Sequence, residues 1–501
     1  MWTRSFAVLS LIALAAGHPQ AGGSAPVPST DEAITHALNR LTFGPRAGDV
    51  ARVKAMGLQN WIDLQLSPSR IEDAALTARL ARLETLTLDS QTIQRDYSGP
   101  AMVARRERQR QNPPSPPEAA SARQAESSSQ TEDMSPSRRS SPEPERAKAG
   151  QVIADIEEAK LLRALYSERQ LQEVLVDFWF NHFNVFAGKG ATRNYLSEYE
   201  REAIRPYVLG NFRDMLEATA KSPAMLFYLD NWQNVAEQSP GGAPRRPQRS
   251  GAAASPTRGI NENYARELME LHTLGVDGGY TQTDIVNVAR ALTGWTIRPR
   301  EGSGTYYVKR LHDDKVKTVL GQTLKAGGGD NDIERVLDIL AAHPSTARHI
   351  ATKLARRFVS DTPPPLLVDR AAARFTATTG DLREVVRTIV TSPEFFAADA
   401  YRVKVKTPLD FVASALRATG AEVRSAVPLA RELRDMGMPL YFCQPPTGYD
   451  DTAATWVSAG ALVSRMNFAV ALGKNEIRGV RIANPPAALD KEIGSPGFQR
   501  Q

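Results

Sequence analysis

The chain has 501 residues, 42% of them hydrophobic, with a formal charge of +6. That is enough apolar material for a large core and, by length alone, for two or three domains. The 62 Lys and Arg stand against 56 Asp and Glu, with no basic block inside the folding segments, so nucleic-acid binding is not indicated. The single cysteine, Cys443, excludes an intramolecular disulfide and leaves stability to packing.

Residues 1–17 read as a secretory leader. Arg4 stands in a short leading region, an apolar run extends from Phe6 to Ala16, and Ala15 and Gly17 are small residues placed for cleavage. The run is too short for a confident membrane span, so the expected location is exported, periplasmic or extracellular. A linker covers 18–29, and a single helical domain is expected over 30–475. Thr30, Asp31 and Glu32 cap a first helix carrying Ile34, Leu38 and Leu41, and helices follow at 47–56 and 58–66. Residues 98–150 are dominated by Arg, Gln, Ser, Pro and Glu, and 235–259 by Pro, Gly and Arg. Segments with so little apolar surface cannot offset their ordering entropy, so both are expected to be disordered insertions on one fold. Their arginines leave open a weak contact with a membrane or polysaccharide.

Between the insertions, 153–183 is patterned as one long amphipathic helix ending in Phe178-Trp179-Phe180-Asn181-His182-Phe183. Asn181 and His182 inside that aromatic cluster are either satisfied structural groups or a ligand-facing pair. Helices are expected at 192–208 and 211–220, and Ser222-Pro223 opens another. Further on, Tyr264, Leu268 and Leu271 predict a helix over 261–274 that ends at Gly275. Glu267 borders its apolar stripe on one flank and His272 on the other. Glu262, Arg266 and Glu270 form an i, i+4, i+8 ladder that suits surface ion pairs. A carboxylate at the edge of an apolar face, as Glu267 is, must be paired, hydrogen-bonded or cation-bound. Glu267 and His272 lie five apart, which excludes the zinc helix spacing.

Thr281 and Asp284 form an approximate capping box for the next helix, which delivers Trp295 either to a ligand pocket or to packing. Asp230, Asn231, Asn234, Asn261, Glu262 and Asn263 crowd oxygen-bearing side chains into one corner. A hard divalent cation such as calcium needs such a set, and helix caps explain it more economically. Residues 306–308 and 316–320 read as a small β-hairpin around His312 and Asp313, which either serve a site or hold a turn. Helices resume at 333–340, 346–358, 368–375, 382–391, 409–417 and 456–472, and 476–501 is expected to be a loose tail. His349, in a Lys/Arg-rich helix, is not taken as a ligand. The fold class is mainly α, a multi-helix globular array with one small β-hairpin and two disordered insertions.

The runs NENYARELMELHTLG and GGYTQTDIVNVARALTGW, with ALNRLTFGPRAGDVARVKAMGLQNWIDLQLSP, DFWFNHF, HPSTARHIATKLARRFV and KTPLDFVASALRATG, together resemble the bacterial family catalogued as domain of unknown function 1800. The likeness covers most of 31–475. It implies a secreted, mainly helical protein, often encoded beside a second exported family, domain of unknown function 1501, which is similar to sulfatases and phosphatases. Two functions follow as expectations. The preferred one is a helical scaffold or assembly partner of that sulfatase-like protein. The alternative is an exported hydrolase, with or without a cation, acting on an extracellular polymer or its decorations. It would use Glu267 or Glu270 as general acid or base and His182, His272 or His312-Asp313 in support. Asn181, Asn261, Glu262, Asn263, Arg266 and Trp295 would be its ligand contacts. Against it, the sequence holds no nucleophile elbow, zinc motif, P-loop or nucleotide fingerprint. One pocket lined jointly by His182, Glu267, Glu270, His272 and His312 would favour the enzyme, and local pairing of each would favour the scaffold.

Overall fold

The computed structural model describes residues 27–111, 144–237, 259–302 and 304–501. The expected leader at 1–17, most of the expected linker and the central parts of both expected insertions lie outside the described residues. Within them the chain is mainly α, helix packed on helix around one large apolar core. Among the described residues no helix is long and apolar enough to cross a membrane.

The first helix, Asp31–Leu41, is capped as expected, Thr30 accepting from the Ala33 N–H, and it buries Ile34, Leu38 and Leu41. The expected helix over 153–183 is two helices, Pro144–Tyr166 and Gln170–His182. The break has a tertiary cause. Asp73 accepts from the Ser167 hydroxyl at 2.6 Å and from the Glu168 N–H at 3.1 Å, while the Gln170 amide donates to the Ala164 and Ser167 carbonyls. These bonds satisfy backbone groups that continuing the helix would otherwise have occupied. The first insertion is also narrower than expected, since Gly99–Gln111 and the start of Pro144–Tyr166 are helical. Arg, Glu, Gln and Ala form helices readily without an apolar face, and a count of apolar residues overlooks this. The rims of the second insertion are tied together. The Val235 N–H donates to Gly259 O at 3.2 Å, bringing the Asp230–Asn234 turn against Asn261.

The helix expected over 261–274 is shorter, Asn263–Glu270. A wider turn follows, with N–H donation from His272 to Glu267 O and from Leu274 to Met269 O, and it ends at Gly275 with φ +84°. The Thr281–Asp284 capping box is present in full.

The expected hairpin is a mispairing of correctly located strands. Tyr306–Tyr307 pairs with Trp295–Thr296, and Lys317–Val319 pairs with Gln322–Leu324. Leu320 and Gly321 both have positive φ, which makes a two-residue turn that gives 317–319 a local partner. A third pair joins Glu422–Val423 to Val480–Arg481. The tail is not loose. Lys406 N–H donates to Gln499 O, Gln501 N–H donates to Lys404 O, and Arg465 reaches Gln499 Oε1 at 2.8 Å. Ile482, Leu489 and Ile493 join the core. Few apolar residues suffice when backbone bonds hold the strand end.

Candidate functional site

Two helix faces oppose one another. The last turns of Gln170–His182 present Asp177, Phe178, Asn181 and His182, and Pro344–Phe358 presents Lys353, Arg356 and Arg357 at i, i+3 and i+4. With Thr407, Met438 and the segment Thr447-Gly448-Tyr449-Asp450-Asp451, they enclose a cavity of about 340 Å³. That volume lies in the range of small-ligand sites.

The closing segment is held by side-chain amides. Asn181 Nδ2 donates to Tyr449 O and Asn181 Oδ1 accepts from Tyr449 N, both at 2.7 Å. Asn184 Nδ2 donates to Cys443 O and Pro445 O. Gly448 is required here, since it has φ +73° and a Cβ would lie 2.2 Å from Asn181 O.

The charges beside the cavity are unevenly paired. Arg357 is bidentate to Asp410 at 3.1 Å for each bond, Lys404 pairs with Asp361 at 2.6 Å, and Lys160 pairs with Asp177 at 2.6 Å. Lys353 makes no hydrogen bond or ion pair among the described residues. It faces the cavity but is otherwise enclosed, and burial lowers its pKa to about 8 against the opposing charge of Asp451. Arg356 donates from Nε to Asp361 O at 3.2 Å and makes no ion pair with a carboxylate among the described residues, the Asp361 carboxylate acting on it only at longer range. Asp451 lies 3.8 Å from Arg357 and 3.7 Å from Lys404 through Oδ1, while its buried Oδ2 has no partner. Burial raises its pKa, with Lys404 and Arg357 pulling the other way.

Three imidazoles back this wall. His182 and His272 have ring centroids 6.2 Å apart, and His182 and His349 have theirs 6.1 Å apart. Burial first and the Lys353 charge second hold all three neutral, His272 down to about 3 and His349 to about 4. His182 Nε2 lies 3.1 Å from His272 O, and His349 Nε2 lies 3.2 Å from Leu271 O. A carbonyl only accepts, so each Nε2 carries the hydrogen and each Nδ1 keeps a lone pair. His182 Nδ1 is buried without a partner.

Of the sequence candidates, Asn181 and His182 line the cavity, and His272 stands behind it. The others lie elsewhere. Glu267 is half-buried, and burial together with the neighbouring Glu270 raises its pKa against Arg266. Its carboxylate makes no hydrogen bond or ion pair among the described residues. Glu270 bonds Tyr280, and Glu262 pairs with Arg266 and Gln282. His312 is fixed between Thr293 O at 2.8 Å and Asp332 at 3.2 Å, and Asp313 is bidentate to Arg290. Trp295 sits in its strand with the Lys221 ammonium 5.2 Å from the ring. The oxygen-rich corner does form, but as a capping network. Asn234 Oδ1 accepts from Asn261 N, Asn261 Oδ1 accepts from Asn263 N, and Asn263 Nδ2 donates to Leu229 O. Among the described residues no group of three or more His, Cys, Asp or Glu is placed to hold a metal ion. The centre expected around Glu267 is therefore not assembled, and His182, Glu267, Glu270, His272 and His312 do not share the pocket that would have favoured an enzyme built on them.

Sequence reasoning missed Lys353, Arg356, Asp451 and His349. The signal was present in HPSTARHIATKLARRFV, where His349, Lys353, Arg356 and Arg357 share one helix face without an intervening carboxylate. PPTGYDD also concentrates turn residues and acids just before an apolar helix.

The fold thus defines a mainly helical protein with a cavity lined by charged side chains. The chain belongs to the family described as Protein of unknown function (DUF1800), whose family model matches residues 36–496. No curated protein and no solved structure matches it.

Proposed function

We propose that the chain is an exported hydrolase whose site is the cavity between Lys353 and Asp451. One observation carries this reading. Lys353, Asp451 and His182 all line one cavity; Lys353 makes no hydrogen bond among the described residues, and Asp451 Oδ2 and His182 Nδ1 are buried without a partner. Leaving a buried polar group unpaired costs about 1–3 kcal/mol, which a bound ligand that completed it would offset. A cation without a partner facing the cavity, with two unsatisfied buried atoms on neighbouring lining residues, suits a ligand that completes the cation. In the proposed chemistry, Asp451 takes a proton from water as the water oxygen bonds to the substrate. Lys353 gives a proton to the departing oxygen, and the proton on Asp451 then returns to Lys353.

The test is a panel of chromogenic carboxylic, glycosidic, phosphate and sulfate esters, run beside acetylation of Lys353 followed by peptide mass spectrometry. Turnover lost in Lys353→Met and an acetylation midpoint near pH 8 are expected. Acetylation with an ordinary lysine midpoint near 10.4, or turnover unchanged in Lys353→Met, would overturn the assignment. Export is checked by N-terminal sequencing of periplasmic protein, with a start near residue 18 expected.

A second reading, the scaffold for a sulfatase-like protein of the family domain of unknown function 1501, draws on one surface. The Ala459–Gly473 helix exposes Leu462, Val463, Met466 and Val470 as one apolar stripe. If that protein docks there, Leu462→Ser with Met466→Ser abolishes its co-purification and leaves folding intact.

A further inference from the structure

Resting on that reading of the cavity, we infer that its ligand carries a phosphate monoester, held by Lys353 and Arg356. The argument is charge balance in a partly enclosed space. Five cationic side chains, Arg40, Lys353, Arg356, Arg357 and Lys404, gather with three carboxylates, Asp361, Asp410 and Asp451. Arg40 is buried beneath them, donating to Val359 O and Ala400 O, with Nε and Nη1 unpartnered. Asp410 is taken up by Arg357 and Asp361 by Lys404, and Asp451 lies against both Arg357 and Lys404. Of the two remaining lining acids, Asp177 is paired with Lys160, and Asp450 is exposed and bonded to Thr452.

Among the described residues three of these cations lack a carboxylate in contact; Arg40 lies outside the cavity lining on two backbone carbonyls, and the two that line the cavity, Lys353 and Arg356, stand one helical turn apart on the same face. Asp451 acts on Lys353 only at longer range, without an ion pair, and three neutral imidazoles lie within reach of the Lys353 charge. A monoester dianion supplies the missing charge and three acceptor oxygens. Arginine presents a fork suited to two of those oxygens, and lysine acts as a point charge. The cavity volume leaves room beyond the phosphate for an organic body.

The experiment uses the full chain, with inorganic phosphate and glucose 6-phosphate titrated against sodium chloride at matched ionic strength, pH 7. Both phosphates should raise Tm saturably and slow acetylation of Lys353, the ester at lower concentration if the site reads more than the anion. Arg356→Met should weaken phosphate at least tenfold, and Arg356→Lys, which keeps the charge but not the fork, should restore part of the loss. Protection of wild-type Lys353 needs no variant, so a failure of Arg356→Met to fold leaves the test standing. Phosphates that act no better than chloride on the wild type overturn the inference. If phosphate fails and a neutral ester from the hydrolase panel protects Lys353, only the phosphate assignment falls. If nothing protects Lys353 and it reacts like a surface lysine, the cavity reading falls with it.

Discussion

Lys353→Met should make the protein more stable, and the size of the gain follows from the site. Placing the ammonium in the cavity wall lowers its pKa from an ordinary 10.5 to about 8. At 1.36 kcal/mol per pH unit, this disfavours the charged form by about 3 kcal/mol. The figure is an upper value, because the group keeps contact with the cavity. Methionine keeps the stem and removes the charge. For roughly 400 folded residues the unfolding entropy is about 0.8 kcal/mol/K, so Tm should rise by up to about 4 °C at pH 7. The pH dependence fixes the cause. Below about pH 8 both folded and unfolded chains hold the proton, and the destabilisation is complete and flat. Between about 8 and 10.5 the unfolded chain binds more protons, so wild-type stability rises with pH and the advantage of the variant shrinks. Differential scanning calorimetry of both proteins from pH 6.5 to 9.5 reads the effect directly. A variant that melts lower, with a pH-independent difference, would show that Lys353 is a structural tie and refute the argument.

Three other substitutions separate roles around the cavity. Arg357→Met leaves Asp410 buried without its partner and should cost about 3–5 kcal/mol by calorimetry, with Asp410→Asn restoring part of the loss. Burial pushes the Asp410 pKa up, but Arg357 and Thr407 outweigh it. The stability from this lowered pKa is therefore present above about pH 3.9 and lost as pH falls through the folded value. Asn181→Ala removes both bonds to Tyr449 and should cost about 1–3 kcal/mol. Limited proteolysis should then cut within 445–451, and the Tm response to phosphate should disappear. Glu267→Gln should change stability by less than about 0.5 kcal/mol and leave the phosphate response unchanged. A metal ion bound by wild type and lost in that variant would restore a centre at Glu267.

The helices were legible where local chemistry decides them. The Thr30 cap, the Thr281–Asp284 box and the left-handed Gly275 each follow from a few adjacent residues. The break at 167–169 was not legible, because Asp73, nearly a hundred residues away, takes the hydrogen bonds that end the helix. Register failed for a smaller reason: the Leu320-Gly321 turn places a non-glycine at positive φ, outside the usual hairpin signal. At the site, Asn181 and His182 stood out because a polar pair in an aromatic run is locally anomalous. Lys353 and Arg356 did not, since cations in a helix ordinarily reach solvent and only the three-dimensional arrangement encloses them. Glu267 misled by the same logic in reverse. Its place beside an apolar stripe suggested burial, and the helix leaves it half in solvent.

The cavity and the exposed stripe are joined through the chain, which gives the two proposed readings a common test. Trp456 Nε1 donates to Asp450 O at 3.0 Å, and Ala453 N donates to Asp361 Oδ2 at 2.8 Å. The short helix Ala453–Trp456 thus connects the segment that closes the cavity to the start of the Ala459–Gly473 helix. Asp361 also holds Lys404 and accepts from Arg356 through its carbonyl, so movement of 453–456 reaches the cationic wall through one residue. A partner that ordered the stripe would favour whichever position of 447–451 it stabilised, by no more than its difference in affinity for the two. Docking should therefore change the acetylation rate of Lys353 without touching it. Leu462→Ser with Met466→Ser should remove that dependence and leave the rate in the isolated protein unchanged. If the rate in the isolated protein changes as well, the stripe supports the cavity from within the fold rather than receiving a partner.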